Sequence, residues 1–146
     1  MMIEAWYDNH IDTPVTVTTA AELDAVLDEV AAGGPLQMAQ LITDGDIGKP
    51  HLFVGLNDDR GTLRYSSDDA GILYSQNTGT PFPLPEWGEV IYYFESADFQ
   101  YPNDSEIPVS KVRAAAHDFL TTGGVQPPAG ITWAEETIPA INPPTA

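Results

Sequence analysis

The sequence lacks cysteine and long apolar runs and contains few basic residues, and each of these features excludes a class of function. It contains no cysteine, which excludes disulfides, thiolate metal sites and a cysteine nucleophile. Only 5 basic residues stand against 22 acidic ones, and the resulting formal net charge of -17 repels nucleic acid and anionic membranes. No run of about 18 apolar residues is present, so no membrane-spanning helix is predicted.

The segment MMIEAWYDNH at the N-terminus contains neither the basic nor the apolar part of a secretory signal peptide. Because cysteine is also absent, which fits a reducing compartment, we expect a cytoplasmic protein. The 146 residues, of which 42% are hydrophobic, suffice for one folded domain. We expect that domain to span residues 1–134 and a flexible C-terminal tail to follow over residues 135–146.

Two segments have the residue pattern of a helix. Thr19 and Glu22 form a capping box at the start of the first. Its apolar face, which ends at Gly33-Gly34, comprises Leu23, Val26, Leu27 and Val30. The second helix begins near Pro108, ends at Gly123-Gly124 and has an apolar face of Val109, Val112, Ala116, Phe119 and Leu120. His117 lies off that face, so we expect it to be solvated.

The remaining apolar runs have the composition of strands and are separated by turn residues. They are IEAWY (3–7), VTVTT (15–19), LQMAQLI (36–42), HLFVGL (51–56), GTLRYSS (61–67), GILYS (71–75), EVIYYFES (89–96) and GITWAEE (130–136). Since most of them are joined by short connections, antiparallel pairing is expected. The prediction is an α+β fold, with a mostly antiparallel sheet of about 6–8 strands and two main helices packed on one face.

The stretch NDDRG, residues 57–61, joins two of these strands. Asn, Asp and Gly tolerate the backbone angles of a tight hairpin turn, so the segment predicts a hairpin with Asp58 and Asp59 at its tip. We expect Arg60 to order the turn by pairing with a nearby carboxylate. In the strand that follows, alternation places Leu63 and Tyr65 on one face and Thr62 and Arg64 on the other.

The motif search finds no catalytic or metal-binding signature. Asp8, His10 and Asp12 alternate and could face a metal ion from a strand, but these residue types are also common in turns. TDGDIG (43–48) resembles the start of a calcium-binding loop, yet it lacks the glycine and the glutamate that such a loop needs later. GxSxG, GxGxxG and the phosphate-binding loop are absent. We therefore predict no catalytic residue, no metal and no cofactor.

The segment QNTGTPFPLPEWG, residues 76–88, has the composition of an exposed proline-rich loop. It holds Phe82 and Trp87 close to Glu86 and Glu89. Aromatic side chains with neighbouring carboxylates are typical of protein interfaces. The alternative is that Phe82 and Trp87 fold back under the loop as a small satellite core.

Several short motifs, taken in order, resemble the first-numbered immunity-protein family of bacterial polymorphic toxin systems, in its actinobacterial form. The resemblance covers most of residues 3–133 and rests on order and spacing rather than on any single motif. The matching motifs are Asp59-Arg60-Gly61, Leu63-Arg64-Tyr65, Tyr92-Tyr93, Glu106-Ile107-Pro108 and Thr122-Gly123-Gly124.

The resemblance implies a non-enzymatic antitoxin that binds a cognate toxin domain, often one with a deaminase fold that acts on nucleic acid. Such a toxin has a basic substrate cleft, which an acidic protein could occlude as a substitute for the polyanion. We expect a monomer that forms a 1:1 complex. The family does not specify the contacts, and we assign them to loop residues: Asp44, Asp46, Asp58, Asp59, Asp68, Asp69, Glu86, Trp87 and Glu89.

Two other functions remain open from the sequence. A small-ligand-binding or enzymatic α+β domain would need converging polar groups, for which the candidates are Tyr65, Tyr74, Tyr92 and His51. A constitutive adaptor for another basic protein would have the same acidic surface but no toxin gene beside its own.

Overall fold

The computed structural model describes residues 2–7, 13–43, 50–94 and 97–135. Within these ranges the chain forms two helices and ten strands. They are β1 (Ile3–Tyr7), β2 (Val15–Val17), α1 (Ala20–Ala32), β3 (Gln37–Thr43), β4 (His51–Asn57), β5 (Arg60–Ser67), β6 (Gly71–Ser75), β7 (Val90–Phe94), β8 (Ala97–Tyr101), β9 (Ile107–Pro108), α2 (Val109–Thr122) and β10 (Trp133–Glu135).

Seven strands form the main path of the sheet, in the order β10-β6-β5-β4-β3-β1-β2, and each neighbouring pair is antiparallel. β9 extends the β6 side of the sheet by pairing with the start of β5. β7 touches β3 through one parallel pair, Gln37 with Tyr93, and forms an antiparallel hairpin with β8. The predicted α+β class and the mostly antiparallel sheet are confirmed, with more strands than the expected 6–8.

Both helices pack on one face of the sheet, as predicted. The capping box is formed, since the Thr19 side chain accepts from the Glu22 backbone N–H and the Glu22 side chain accepts from the Thr19 N–H. The predicted apolar faces are buried, with Val109 partly so and Ala115 an additional member. α2 ends where Gly123 adopts a left-handed φ of 73°. The apolar faces of the two helices pack on residues of the sheet, which are Ala39, Leu41, Leu52, Val54, Leu63 and Tyr65.

His117 was expected to be solvated, and this interpretation is wrong. Its ring Nε2 lies 2.8 Å from Asp24 Oδ1 on α1. Arg113, one helical turn earlier, also reaches α1 through Asp24 and Asp28 at 3.3 and 3.0 Å. A residue off the apolar face of one helix can still face its neighbour when two helices lie side by side.

The opposite face of the sheet is covered by the β7–β8 hairpin. The buried side chains of this second cluster are Met38, Phe53, Tyr74, Val90, Tyr92 and Tyr101. Aromatic edge-to-face pairs hold it together, among them Tyr92 with Tyr101 at 5.8 Å and Phe53 with Phe94 at 5.2 Å between ring centroids. The sequence analysis expected only helices over the sheet and predicted no strand between residue 96 and the second helix, so β8 was missed.

Candidate functional site

The acidic residues singled out in the sequence lie at two opposite ends of β5. Asp58 and Asp59 form the two-residue turn before this strand, and Asp68 and Asp69 are exposed in the turn after it. At the usual rise per residue, the length of β5 separates the two turns by about 25 Å. Asp44 and Asp46 lie outside the described residues. The predicted carboxylates therefore do not form one cluster.

The turn at Asp58 and Asp59 is a tight hairpin, as predicted. Asn57 pairs with Arg60 across it, and Asp58 takes the left-handed φ of 61° that Asp and Asn adopt more readily than most residues. Arg60 Nε donates to Asp59 Oδ1 at 2.9 Å, which confirms the expected ion pair. The Asp59 carbonyl accepts a hydrogen bond from the Val109 N–H at 3.0 Å, so the turn is tied to the start of α2.

The proline-rich loop, residues 76–89, lies beside this turn. The Arg60 guanidinium lies over the Phe82 ring, 4.4 Å from its centroid. Phe82 is therefore partly tucked in, as the satellite-core alternative had it. Trp87 is not tucked under the loop in this way, since it is 59% exposed. Leu84 is also exposed, at 43%. Glu86 and Glu89, on either side of Trp87, are exposed as well.

Local hydrogen bonds give the proline-rich loop a defined shape. The Asn77 side chain accepts from the Gly79 N–H at 2.8 Å and donates to the Thr80 carbonyl at 3.1 Å. The Gly88 N–H closes a turn on the Pro85 carbonyl at 2.8 Å. With its prolines also restricting the backbone, the loop presents Trp87 from a preorganised support.

A small cavity of about 220 Å³, here called the Glu106 pocket, opens between the loop and the sheet. Its apolar walls are Leu36, Pro83, Leu84, Pro85, Trp87, Val90 and Ile91. Its polar lining is Asn57, Arg60 and Glu106. Glu106 is only 7% exposed and its Oε2 accepts a hydrogen bond from the Tyr92 hydroxyl at 2.7 Å. Burial, reinforced by this contact with Glu106, raises the pKa of Tyr92 above its ordinary value, so Tyr92 stays a neutral donor.

Two larger depressions open near the same turn. One, of about 420 Å³, lies between the first half of the proline-rich loop and the start of α2 and includes Phe82 and Lys111. The other, of about 670 Å³, is lined by Asp58, Arg113 and the end of α1. Concave surface, exposed apolar side chains and carboxylates therefore coincide at the Asp58 end of β5.

The sequence analysis missed Glu106 and Leu84 as site residues. Glu106 precedes a helix and resembles any solvated acidic residue at such a position. It is buried because Tyr92, 14 positions away, is brought over the sheet by the β7–β8 hairpin. Leu84 could have been found, since an isolated leucine between two prolines has no neighbours on its own segment with which to bury itself.

The proposed pocket of Tyr65, Tyr74, Tyr92 and His51 is not formed. Tyr65 packs with the helices, where its hydroxyl donates to the Gly124 carbonyl at 2.7 Å. Tyr74 and Tyr92 are buried in the aromatic cluster on the other face of the sheet. The three tyrosines are thus core residues, and the sheet separates Tyr65 from Tyr74 and Tyr92, so they do not converge on a ligand.

Among the described residues, no three His, Asp or Glu side chains come together as metal ligands. The Asp8, His10 and Asp12 alternative and most of the TDGDIG loop lie outside these residues. In the same part of the chain, neither helix is long and apolar enough to cross a membrane.

Comparison with known families shows which family model the chain matches. The model of the family described as immunity protein Imm1 matches residues 11–135, which include both helices, the proline-rich loop and Glu106. A search of curated proteins finds no match.

Proposed function

Because this chain belongs to the family of immunity protein Imm1, we propose that it binds and neutralises a cognate toxin domain through the Asp58 end of β5. The observation that carries the proposal is Trp87, which is 59% exposed on a preorganised loop between two exposed glutamates. A large aromatic side chain held in solvent by a rigid support is the usual anchor of a protein interface. The neighbouring Leu84 enlarges the apolar centre of this surface.

The negative charge of this protein supports the proposal that its partner is basic. The protein carries a formal net charge of -17. The exposed carboxylates of Asp58, Asp59, Glu86 and Glu89 lie in the turn before β5 and in or next to the proline-rich loop. Rim carboxylates would accelerate association with a basic cleft, while the buried aromatic contact would slow dissociation. We propose that the toxin is a nucleic-acid-targeting deaminase whose substrate cleft is occluded by this surface. The protein acts without catalysis of its own, in the cytoplasm, as a monomer in a 1:1 complex.

Two double variants with the same charge change test the position of the surface. Glu86→Lys with Glu89→Lys alters the Trp87 surroundings, and Asp68→Lys with Asp69→Lys makes an equal change at the other end of β5. All four residues are exposed, so neither variant should change the melting temperature appreciably. The toxin domain, taken from the C-terminus of the neighbouring open reading frame, is co-expressed with each variant in a sensitive host and survivors are counted.

We expect the Glu86 and Glu89 variant to lose protection and the Asp68 and Asp69 variant to keep it. Protection by both would place the contact surface elsewhere, and loss in the second variant alone would move it to the other end of β5. If the wild-type protein gives no protection against that toxin, the proposed antitoxin function toward it is wrong. An adaptor for a different basic protein would then be the better explanation.

A further inference from the structure

We propose that the Glu106 pocket receives a single arginine side chain of the toxin. The inference rests on the proposed function for the source of that arginine, but the pocket itself is a property of this chain. It names a specific contact within the surface around Trp87. It also assigns a binding role to Glu106, a residue whose position before α2 would otherwise make it part of the scaffold.

The first argument is the unbalanced charge of Glu106. Only 7% of the surface of Glu106 is exposed. The hydrogen-bond partner of its carboxylate is the neutral hydroxyl of Tyr92. Among the described residues, no basic side chain forms an ion pair with it. A buried carboxylate without a cationic partner is costly, so an incoming positive charge would gain more here than at the surface.

Arg60 also lines the pocket and its charge reaches Tyr92, but its ion pair is with Asp59 and not with Glu106. Its Nε is committed to Asp59 at 2.9 Å, and its guanidinium lies over the Phe82 ring. Of the described residues that line the pocket, Glu106 is the other charged one, and the exposed Glu86 and Glu89 stand on either side of Trp87 in the sequence. A phosphate or carboxylate ligand would be repelled by this set, whereas a cation is attracted.

The walls fit the flat, amphipathic side chain of arginine. Pro83, Pro85 and Leu36 offer apolar surface to its methylene stem, and the lining also includes the Trp87 indole, a ring of the kind on which a guanidinium can stack. Arginine can also donate two hydrogen bonds at once to a carboxylate, which a lysine ammonium does with less directional control. The cavity of about 220 Å³ is smaller than the roughly 300–1,000 Å³ of small-molecule sites, so a single side chain suits it better than a metabolite.

The pocket can be tested on the free protein without the toxin. N-acetyl-arginine amide is titrated into the ¹⁵N-labelled protein, and the indole N–H signal of Trp87 is followed, assigned by its loss in Trp87→Phe. N-acetyl-citrulline amide has nearly the same shape without the charge and is the matched control. We expect a saturable shift with the arginine compound, a much smaller one with citrulline, and loss of the arginine response in Glu106→Gln.

Glu106→Gln keeps an acceptor for the Tyr92 hydroxyl. The control is Asp68→Asn, which removes an exposed carboxylate at the other end of β5 and should retain the arginine response. Equal responses to the two compounds, or no response to either, would overturn the proposal without any variant having to fold. An undiminished response in folded Glu106→Gln would overturn it as well.

The toxin complex provides the second measurement. There Glu106→Gln should raise the Kd by about 30-fold or more, chiefly through faster dissociation, because a buried charge pair is lost. Wild-type affinity in folded Glu106→Gln would disprove the arginine contact while leaving the antitoxin function intact. A selective arginine response in a protein that does not bind the toxin would have the opposite meaning, since the pocket would stand and the proposed function toward that toxin would fall.

Discussion

The two faces of the sheet are packed in different ways. The helix face is covered by α1 and α2 and is mainly aliphatic, with Leu23, Leu27 and Leu63 fully buried. The hairpin face is covered by β7 and β8 and is mainly aromatic, and it includes the buried Tyr92–Glu106 hydrogen bond. The Glu106 pocket and Trp87 adjoin the hairpin face. Under the proposed function, the helix face is scaffold and the hairpin face supports the proposed binding surface.

Leu27→Ala is expected to have the largest effect on stability. Leu27 is fully buried between α1 and the sheet, so its truncation removes apolar contacts and leaves a cavity. The free energy of unfolding should fall by about 2–5 kcal/mol, measured by urea denaturation. If the two faces are independent, the folded variant binds the toxin with wild-type affinity. A Kd that rises with the loss of stability would show that the helix face also shapes the binding surface.

Gly55→Ala tests the packing of the hairpin face, because Gly55 lies under Tyr92. An added Cβ would lie 2.7 Å from Tyr92 Cδ2 and 2.8 Å from Thr62 Oγ1, closer than normal packing allows. Because Tyr92 is buried and bonded to Glu106, we expect a loss of about 1–3 kcal/mol in the free energy of unfolding. Unlike Leu27→Ala, this change should also weaken toxin binding, because Tyr92 positions Glu106.

The matched control is Gly79→Ala in the proline-rich loop, where the nearest atom to the added Cβ is 3.6 Å away. It should leave both stability and affinity unchanged. Unaltered toxin affinity in Gly55→Ala would mean that Tyr92 does not link the aromatic cluster to the binding surface.

Trp87→Ala should separate affinity from stability. The side chain is 59% exposed, so truncation should change the free energy of unfolding by no more than about 0.5 kcal/mol. The proposed function makes Trp87 an aromatic anchor of the interface. Loss of its side chain should therefore raise the toxin Kd by about 10–30-fold, measured by calorimetry. Val125→Ala, an exposed apolar residue beyond α2, is the control and should change neither quantity. Equal Kd values for the two variants would remove Trp87 from the interface.

The helix face could be predicted from the sequence because its information is local. The capping residues Thr19 and Glu22 and the spacing of Leu23 to Val30 all lie within one segment, and the structure confirms the helix they predict. The hairpin at Asp58–Asp59 was predicted for the same reason, since turn residues and flanking strands are contiguous. These features require no knowledge of which distant segments meet.

The hairpin face could not be predicted in this way because it depends on long-range contacts. β8 has the sequence ADFQY, in which Asp98 and Gln100 weaken the strand pattern, and it becomes a strand by pairing with β7. The resulting contact of Phe99 with Phe53, 5.7 Å between ring centroids, joins segments far apart in the chain. Burial of Glu106 follows from this packing. The exposure of Trp87 was one of two alternatives that the sequence left open. The separation of Asp68 and Asp69 from the other carboxylates was not predicted.

The smallest expected effect concerns the link between α1 and α2 on the helix face. The hydrogen bond from His117, together with a weaker one from Arg113, holds the pKa of Asp24 below its ordinary value of 3.8. Because the folded-state pKa lies below the unfolded one, the stabilisation is present above pH 3.8 and is lost as the pH falls through the folded-state value. Asp24→Asn should therefore lower the melting temperature slightly at neutral pH, and the difference from wild type should close in acid.

Asp68→Asn is the control for the loss of a carboxylate charge, since no ion pair to Asp68 is formed by the residues that the structure describes. Its melting temperature at neutral pH should stay close to that of the wild type. Toxin affinity at neutral pH should be unchanged in both variants if the helix face is scaffold alone. If the difference in melting temperature between Asp24→Asn and wild type persisted at low pH, the carboxylate charge would not be what holds α1 to α2. The contact would then depend on packing. Reduced toxin affinity in Asp24→Asn would instead extend the binding surface across the helices, and the contrast between the two faces would fail.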